Sequence, residues 1–159
     1  MENVNKKKIS LDEIYPIIKE KIENGGTVQL PITGTSMLPL LVWGRDTVEL
    51  TKCENPQKYD IIFYRRDDGH FVLHRIVGKN ENGFILCGDN QFILEYGITD
   101  KHIIGVVCEM NIDGKSVSVD DEEYIKHKNK YVKNVGSRYP IRRLRYNLSR
   151  LLKWKKISK

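Results

Sequence analysis

The feature that most limits the fold of this chain is a change of hydrophobic period at Gly25-Gly26. Before the glycines, Leu11, Ile14, Ile18 and Ile22 recur at the spacing of one helix face. Ser10-Leu11-Asp12-Glu13 forms a capping box at the start of that helix, and the glycine pair stops it. Pro16 lies inside the pattern and is expected to kink the first turns or delay the true start. After the glycines the period becomes two: Val28, Leu30 and Ile32 alternate with Gln29 and Pro31. Pro31 has no amide hydrogen to give a sheet, so this strand is expected at an edge. Short apolar runs follow at 47–50, 60–64, 71–77, 84–87, 103–110 and 115–119. Gly44-Arg45-Asp46, Asp67-Asp68-Gly69, Asn82-Gly83 and Asp113-Gly114 punctuate them as turns. The expectation is a mainly β protein with a helix at each end. Its parts are an N-terminal helix over 1–26, a β-rich unit over 27–119 and a charged helical tail over 120–159.

A chain of 159 residues can bury a core without disulfide or metal staples. Cys53, Cys87 and Cys108 are widely spaced, odd in number and without a CxxC pair, which fits small core residues in a reducing compartment. No metal or other cofactor is expected. No run reaches the roughly 18 apolar residues of a membrane span, and no secretory signal core is visible, so the expected location is cytoplasmic. The net charge of +6 is concentrated toward the C-terminus. There Ile141–Lys156 reads as an amphipathic helix, with Ile141, Leu144, Leu148, Leu151 and Leu152 as a stripe among arginines and lysines. Such a helix suits an anionic membrane surface, placing the protein at the inner face of the membrane. A helix packed on the domain with a solvated basic face is the equal alternative. No nucleic-acid-binding module is recognisable, and no nucleic acid is expected as partner.

Three short segments could carry chemistry. Gly34-Thr35-Ser36-Met37-Leu38-Pro39 follows directly on the strand at 28–32, so Ser36 stands at a strand end between a flexible glycine and a rigid proline. That geometry can present Oγ and lets the Ser36 N–H bind an oxyanion. His74 lies in Phe71-Val72-Leu73-His74-Arg75-Ile76-Val77, where alternation sets Val72, His74 and Ile76 on one face and Leu73, Arg75 and Val77 on the other. Between β-branched neighbours its imidazole is expected to be desolvated and neutral, the form a base requires. Gly88-Asp89-Asn90 follows the strand at 84–87, and Glu95 stands six residues beyond Asp89. Taken alone, a serine in a glycine-proline loop is a turn former, a strand histidine is a core residue and Asp-Asn is a turn. His70, His102 and His127 share no spacing and read as surface residues.

The order and spacing of these blocks resemble the signal peptidase I superfamily, which also holds the self-cleaving LexA-type repressors. The resemblance rests on Gly34-Thr35-Ser36-Met37-Leu38-Pro39, Tyr59-Asp60-Ile61-Ile62-Phe63-Tyr64, Leu73-His74-Arg75-Ile76-Val77 and Gly88-Asp89-Asn90, over about 28–107. It implies a signal-peptidase/LexA-like β-fold and peptide-bond hydrolysis through an acyl-enzyme on Ser36. Most bacterial members use a Ser-Lys dyad; here histidine holds the lysine position, as in the endoplasmic-reticulum, archaeal and spore-former type. His74 is then the general base, Asp89 or Glu95 its orienting acid, with Asp89 slightly favoured. Gly34, Thr35 and Met37 are placed at the oxyanion hole and substrate site. The implied substrate is an extended leader or signal peptide, or a protein, with small residues before the scissile bond.

Two departures stand out. Tyr59-Asp60-Ile61 replaces the usual Gly-Asp-Ile, and Gly34 supplies no hydroxyl two residues before the nucleophile. Two other functions compete. One is a LexA-like self-cleaving regulator, against which the first 27 residues hold a single helix and leave no room for a DNA-binding domain. The other is a non-catalytic peptide- or membrane-binding module.

Overall fold

The computed structural model describes residues 10–132 together with Pro140, Arg143 and Leu144. Helix α1 spans Leu11–Glu23, and both arms of its capping box are made: the Ser10 hydroxyl accepts the Glu13 N–H, and the Glu13 carboxylate accepts the Ser10 N–H. This double cap fixes the start at Leu11, so Pro16 does not delay it; the proline removes only the bond that the Asp12 carbonyl would have accepted. Ile18 and Ile22 of α1 are buried in the core, while Ile17 on the opposite side is exposed.

The rest is a mainly β protein: an eight-stranded antiparallel sheet with two helices. The strands are β1 (Val28–Pro31), β2 (Thr47–Thr51), β3 (Ile61–Arg65), β4 (Phe71–Asn80), β5 (Gly83–Cys87), β6 (Glu95–Ile98), β7 (Ile103–Ile112) and β8 (Lys115–Ser118). They lie in the order β1-β2-β7-β3-β4-β5-β6, with β8 also paired to β7. β1 is therefore an edge, as Pro31 requires. Strand β6 and a 3₁₀ turn at Asp100–His102 were not legible as periodic runs. Helix α2, Glu122–Val132, opens the charged C-terminal segment. Of the basic stretch Ile141–Lys156, only Arg143 and Leu144 are among the described residues; they are helical and exposed, and the remainder lies outside them. No described helix is long and apolar enough to cross a membrane.

The sheet is buried on both faces, and strand alternation assigns residues between two cores. Ile61 and Phe63 join α1, Leu50, Val107 and Met110 in the larger cluster, with Phe71 and Leu73 packed against it. Ile62 and Tyr64 join Ile76, Phe84, Leu86 and Ile98 in the smaller one. Asp46 ties the loop beyond β1 to the far end of the sheet. Its Oδ2 accepts the Val42 N–H at 2.7 Å and its Oδ1 accepts the Asp113 N–H at 3.1 Å, beside the Arg45 guanidinium.

Tyr59, which occupies the place of a glycine in the resembling family, has φ of +83°. A β-carbon makes this left-handed backbone costly. It is held by the Tyr59 N–H donating to the Ile76 carbonyl at 2.7 Å and by Arg75 Nη1 donating to the Tyr59 carbonyl at 2.9 Å.

His102 departs from the sequence reading. It is 7% exposed, accepts the Thr99 N–H at Nδ1 (3.0 Å) and has Nε2 3.1 Å from Asp67. The 3₁₀ turn folds the ring inward, a burial that isolated-residue spacing does not reveal. His70 is exposed and pairs with Asp68. Cys87 is buried, Cys53 and Cys108 are half-buried, and none of the three is bridged.

Candidate active site

Ser36 stands where β1 gives way to a tight loop. Gly34 takes φ of +83°, and Ser36 opens a turn whose next residue, Met37, is only 2% exposed. The Leu41 N–H donates to the Met37 carbonyl, the Leu38–Pro39 peptide is cis, and Leu41 is fully buried. Two apolar anchors thus hold the loop from below and leave Ser36 half-buried above them. From the other side, the Asn90 N–H donates to the Ser36 carbonyl at 2.7 Å and Asn90 Nδ2 donates to the Thr35 carbonyl at 3.1 Å. Gly34 and Thr35 are exposed beside it.

Sheet register brings the three sequence blocks together. β4 pairs with β5 so that Arg75 faces Cys87. The next step of an antiparallel ladder carries Gly88 to His74. A β-carbon built on Gly88 would lie 3.0 Å from the Ser36 Cβ and 3.1 Å from His74 Nε2. Ser36 and the Nε2 edge of His74 therefore converge on one point, with glycine as the only residue that fits between them.

His74 is 4% exposed. Its pKa is lowered from 6.5 to about 4, chiefly by burial; Glu95 and Asp89 oppose the shift and Arg66 adds to it. The imidazole is consequently neutral across the physiological range. Its Nδ1 lies 3.3 Å from the Tyr64 hydroxyl, which donates to Glu95 Oε2 at 2.8 Å. Glu95 Oε2 is itself 3.9 Å from His74 Nδ1, beyond direct hydrogen-bond reach. Arg66 grips the same carboxylate with two bonds, Nε to Oε1 at 2.6 Å and Nη2 to Oε2 at 2.5 Å. Burial raises the Glu95 pKa, but the bonds from Arg66 and Tyr64 outweigh it and hold the carboxyl below its ordinary value.

Asp89 is committed elsewhere. Its Oδ1 and Oδ2 accept from Arg75 Nε and Nη2 at 2.8 and 2.7 Å, and both side chains are buried. Arg75 Nη1 also donates to the Tyr124 hydroxyl at 2.9 Å, which docks α2. Of the two carboxylates the sequence offered to His74, Glu95 is the one on its hydrogen-bond chain, while Asp89 pairs with Arg75. The reason is alternation: Arg75 points away from His74, and Asp89 follows Arg75.

Ser36 also lines an apolar groove of about 200 Å³. Leu30, Pro31 and Ile32 form one side, Phe71, Val72 and Leu73 the other, and Met37, Val48 and Phe63 contribute to its lining. β4 pairs with β3 along 71–75, whereas β5 joins it only from Arg75 onward, and β1 pairs with β2 alone. β1 and the start of β4 thus each keep one edge without a strand partner among the described residues. A second depression, lined by Arg66, Asn90, Phe92, Ile93 and Glu95, lies along the segment that follows Asp89.

Tyr64, Arg66 and Tyr124 were not singled out in the sequence. Tyr64 carried a usable signal: alternation puts it on the Ile62 face, and the hairpin pairs it with Val72, diagonal to His74. Among the described residues, no group of three or more His, Cys, Asp or Glu side chains is placed to hold a metal ion. Comparison of the chain with protein-family models, with curated proteins and with solved structures gives no match.

Proposed function

We propose that this chain is a serine endopeptidase of the signal-peptidase type, with the fold of that superfamily and a Ser-His dyad made of Ser36 and His74. The observation that carries the reading is the convergence of Ser36 and His74 Nε2 on Gly88. A serine hydroxyl is a poor nucleophile until a base accepts its proton, and a neutral imidazole facing it is the required base. Ser36 Oγ attacks the scissile carbonyl as its proton passes to His74 Nε2. The Ser36 N–H, with Thr35 beside it, receives the oxyanion. The imidazolium then returns the proton to the leaving amine, and its low pKa makes it a ready acid. Water repeats the sequence to release the acyl group.

The groove supports an extended peptide as substrate. The open margins of β1 and of the start of β4 offer backbone pairing, and the apolar lining offers side-chain pockets next to Ser36. Leader or signal peptides are the substrate class the sequence resemblance implies. A serine and a neutral imidazole that converge on Gly88 favour hydrolysis over a purely binding module.

The test is incubation of wild type and Ser36→Ala with a library of leader and signal peptides, read by mass spectrometry. Cleavage at discrete sites by wild type alone is the expected result. Cleavage by both proteins, or by neither, overturns the peptidase reading. Fragments of the chain itself, formed by wild type and not by Ser36→Ala, would instead favour a self-cleaving regulator.

A further inference from the structure

We propose that Tyr64 is a positioning residue for the dyad: its hydroxyl donates to Glu95 and accepts the Nδ1 proton of His74, which fixes the imidazole in the tautomer whose bare Nε2 faces Ser36. The inference deepens the peptidase reading and rests on it for its catalytic consequence, though not for its first test.

The argument is one of counting protons. A phenol has one hydrogen to give. The Glu95 carboxylate, ionised and gripped by Arg66, has none, so the 2.8 Å bond between them must use the Tyr64 hydrogen. The Tyr64 oxygen can then meet His74 Nδ1, 3.3 Å away, only as an acceptor. A neutral imidazole whose Nδ1 carries the hydrogen has its lone pair at Nε2. Nε2 is the atom that lies beside Gly88 and Ser36. Every link sits on a rigid element: Tyr64 on β3, His74 on β4, Glu95 at the start of β6. Tyr64 is fully buried, so water does not compete at its ring.

The charged groups acting on His74 are Glu95, Arg66 and Asp89. Asp89 is spent on Arg75, and Glu95 stands 3.9 Å from Nδ1. Tyr64 therefore spans a gap that a carboxylate in a Ser-His-acid triad ordinarily closes itself.

The test is nitrogen-15 NMR of the His74 ring at pH 7 in the full chain, without substrate. Wild type is expected to show a protonated Nδ1 and a bare Nε2. In Tyr64→Phe, which keeps the packed ring and loses the hydroxyl, the Nδ1–H form should give way to a tautomer mixture. Glu95→Ala is the second variant: it removes the acceptor of the Tyr64 hydroxyl, whose hydrogen is then free to turn toward Nδ1. That variant should move the proton to Nε2. An Nε2–H wild type, or a ratio that neither variant shifts, overturns the proposal. With a cleaved peptide in hand, Tyr64→Phe should lower kcat on the order of 100-fold at unchanged KM, the low end of what a correctly positioned general base contributes. Tautomer shifts without any peptide cleavage leave the proton arrangement standing and sink the peptidase reading; cleavage with an unmoved tautomer does the reverse.

Discussion

Gly88 stands so close to Ser36 that a β-carbon on it would lie 2.7 Å from the Ser36 carbonyl oxygen, an atom already held by the Asn90 N–H. Gly88 does not occupy the left-handed region, so its role is closeness of approach and not backbone freedom. Gly88→Ala must push Ser36 away from His74 or part it from Asn90. Because a misplacement of about 1 Å costs on the order of 100-fold in rate, peptide cleavage should fall by about that factor or more. Circular dichroism should show an intact sheet. Cleavage at the wild-type rate would remove Gly88 from the account of the site.

The buried pair of Arg75 and Asp89 is expected to matter to stability more than to chemistry. Asp89→Ala leaves the Arg75 guanidinium buried without its carboxylate, which costs about 3–5 kcal/mol. Replacing both, as Arg75→Met with Asp89→Leu, removes the stranded charge and should recover part of that loss. Urea unfolding of the three proteins checks it; equal losses in single and double variants would contradict it.

The proposed dyad is expected to have an unusual pH profile for a histidine base. With the His74 pKa lowered to about 4, kcat/KM should rise through a midpoint well below 6.5 and stay flat from about pH 6 to pH 8. A midpoint above 8 would point to a lysine base such as Lys58 or Lys79.

The same shift acts on folding. Unfolded His74 takes up a proton near its ordinary 6.5, and folded His74 only near 4. Between these values the unfolded chain holds more protons, so stability falls as the pH drops through the window and recovers above it. The full effect is about 3 kcal/mol. Urea midpoints at pH 7, 6, 5 and 4.5 should show this slope in wild type and a shallower one in His74→Gln; parallel slopes would refute it.

Tyr59 is expected to be a position where glycine stabilises. Its φ of +83° costs a non-glycine residue about 1–2 kcal/mol, part of which the more flexible unfolded glycine chain takes back. Tyr59→Gly should therefore raise the unfolding free energy by up to about 1 kcal/mol. A loss of stability would mean that the ring, with Lys58 over its face, contributes more than the backbone costs.

Legibility in the sequence followed physical locality. The capping box at Ser10, the edge position of Pro31 and the opposite facing of His74 and Arg75 are set by short-range chemistry, and each appears as the pattern requires. Partnerships between distant side chains left weaker marks. In the chain only a slight preference separates Asp89 from Glu95, and the choice between them depends on the inward course of Arg75 and on Arg66 at the end of β3. Tyr64 reads as a strand aromatic until the β3–β4 register puts its hydroxyl beside Nδ1. His102 looked like a surface histidine because its burial comes from one 3₁₀ turn and not from a periodic run.

The adjacency of His74 and Arg75 separates two kinds of evolutionary risk. One side chain belongs to the proposed dyad and its neighbour to a buried ion pair, on opposite faces of the same strand. Ser36 is half-buried above its anchors, so a copy of this gene released from selection at the proposed dyad could exchange it for alanine with little thermodynamic consequence. Arg75, Asp89 and Tyr124 could not drift so freely. A retired descendant would thus be recognised by an intact arginine-aspartate lock around an empty serine position.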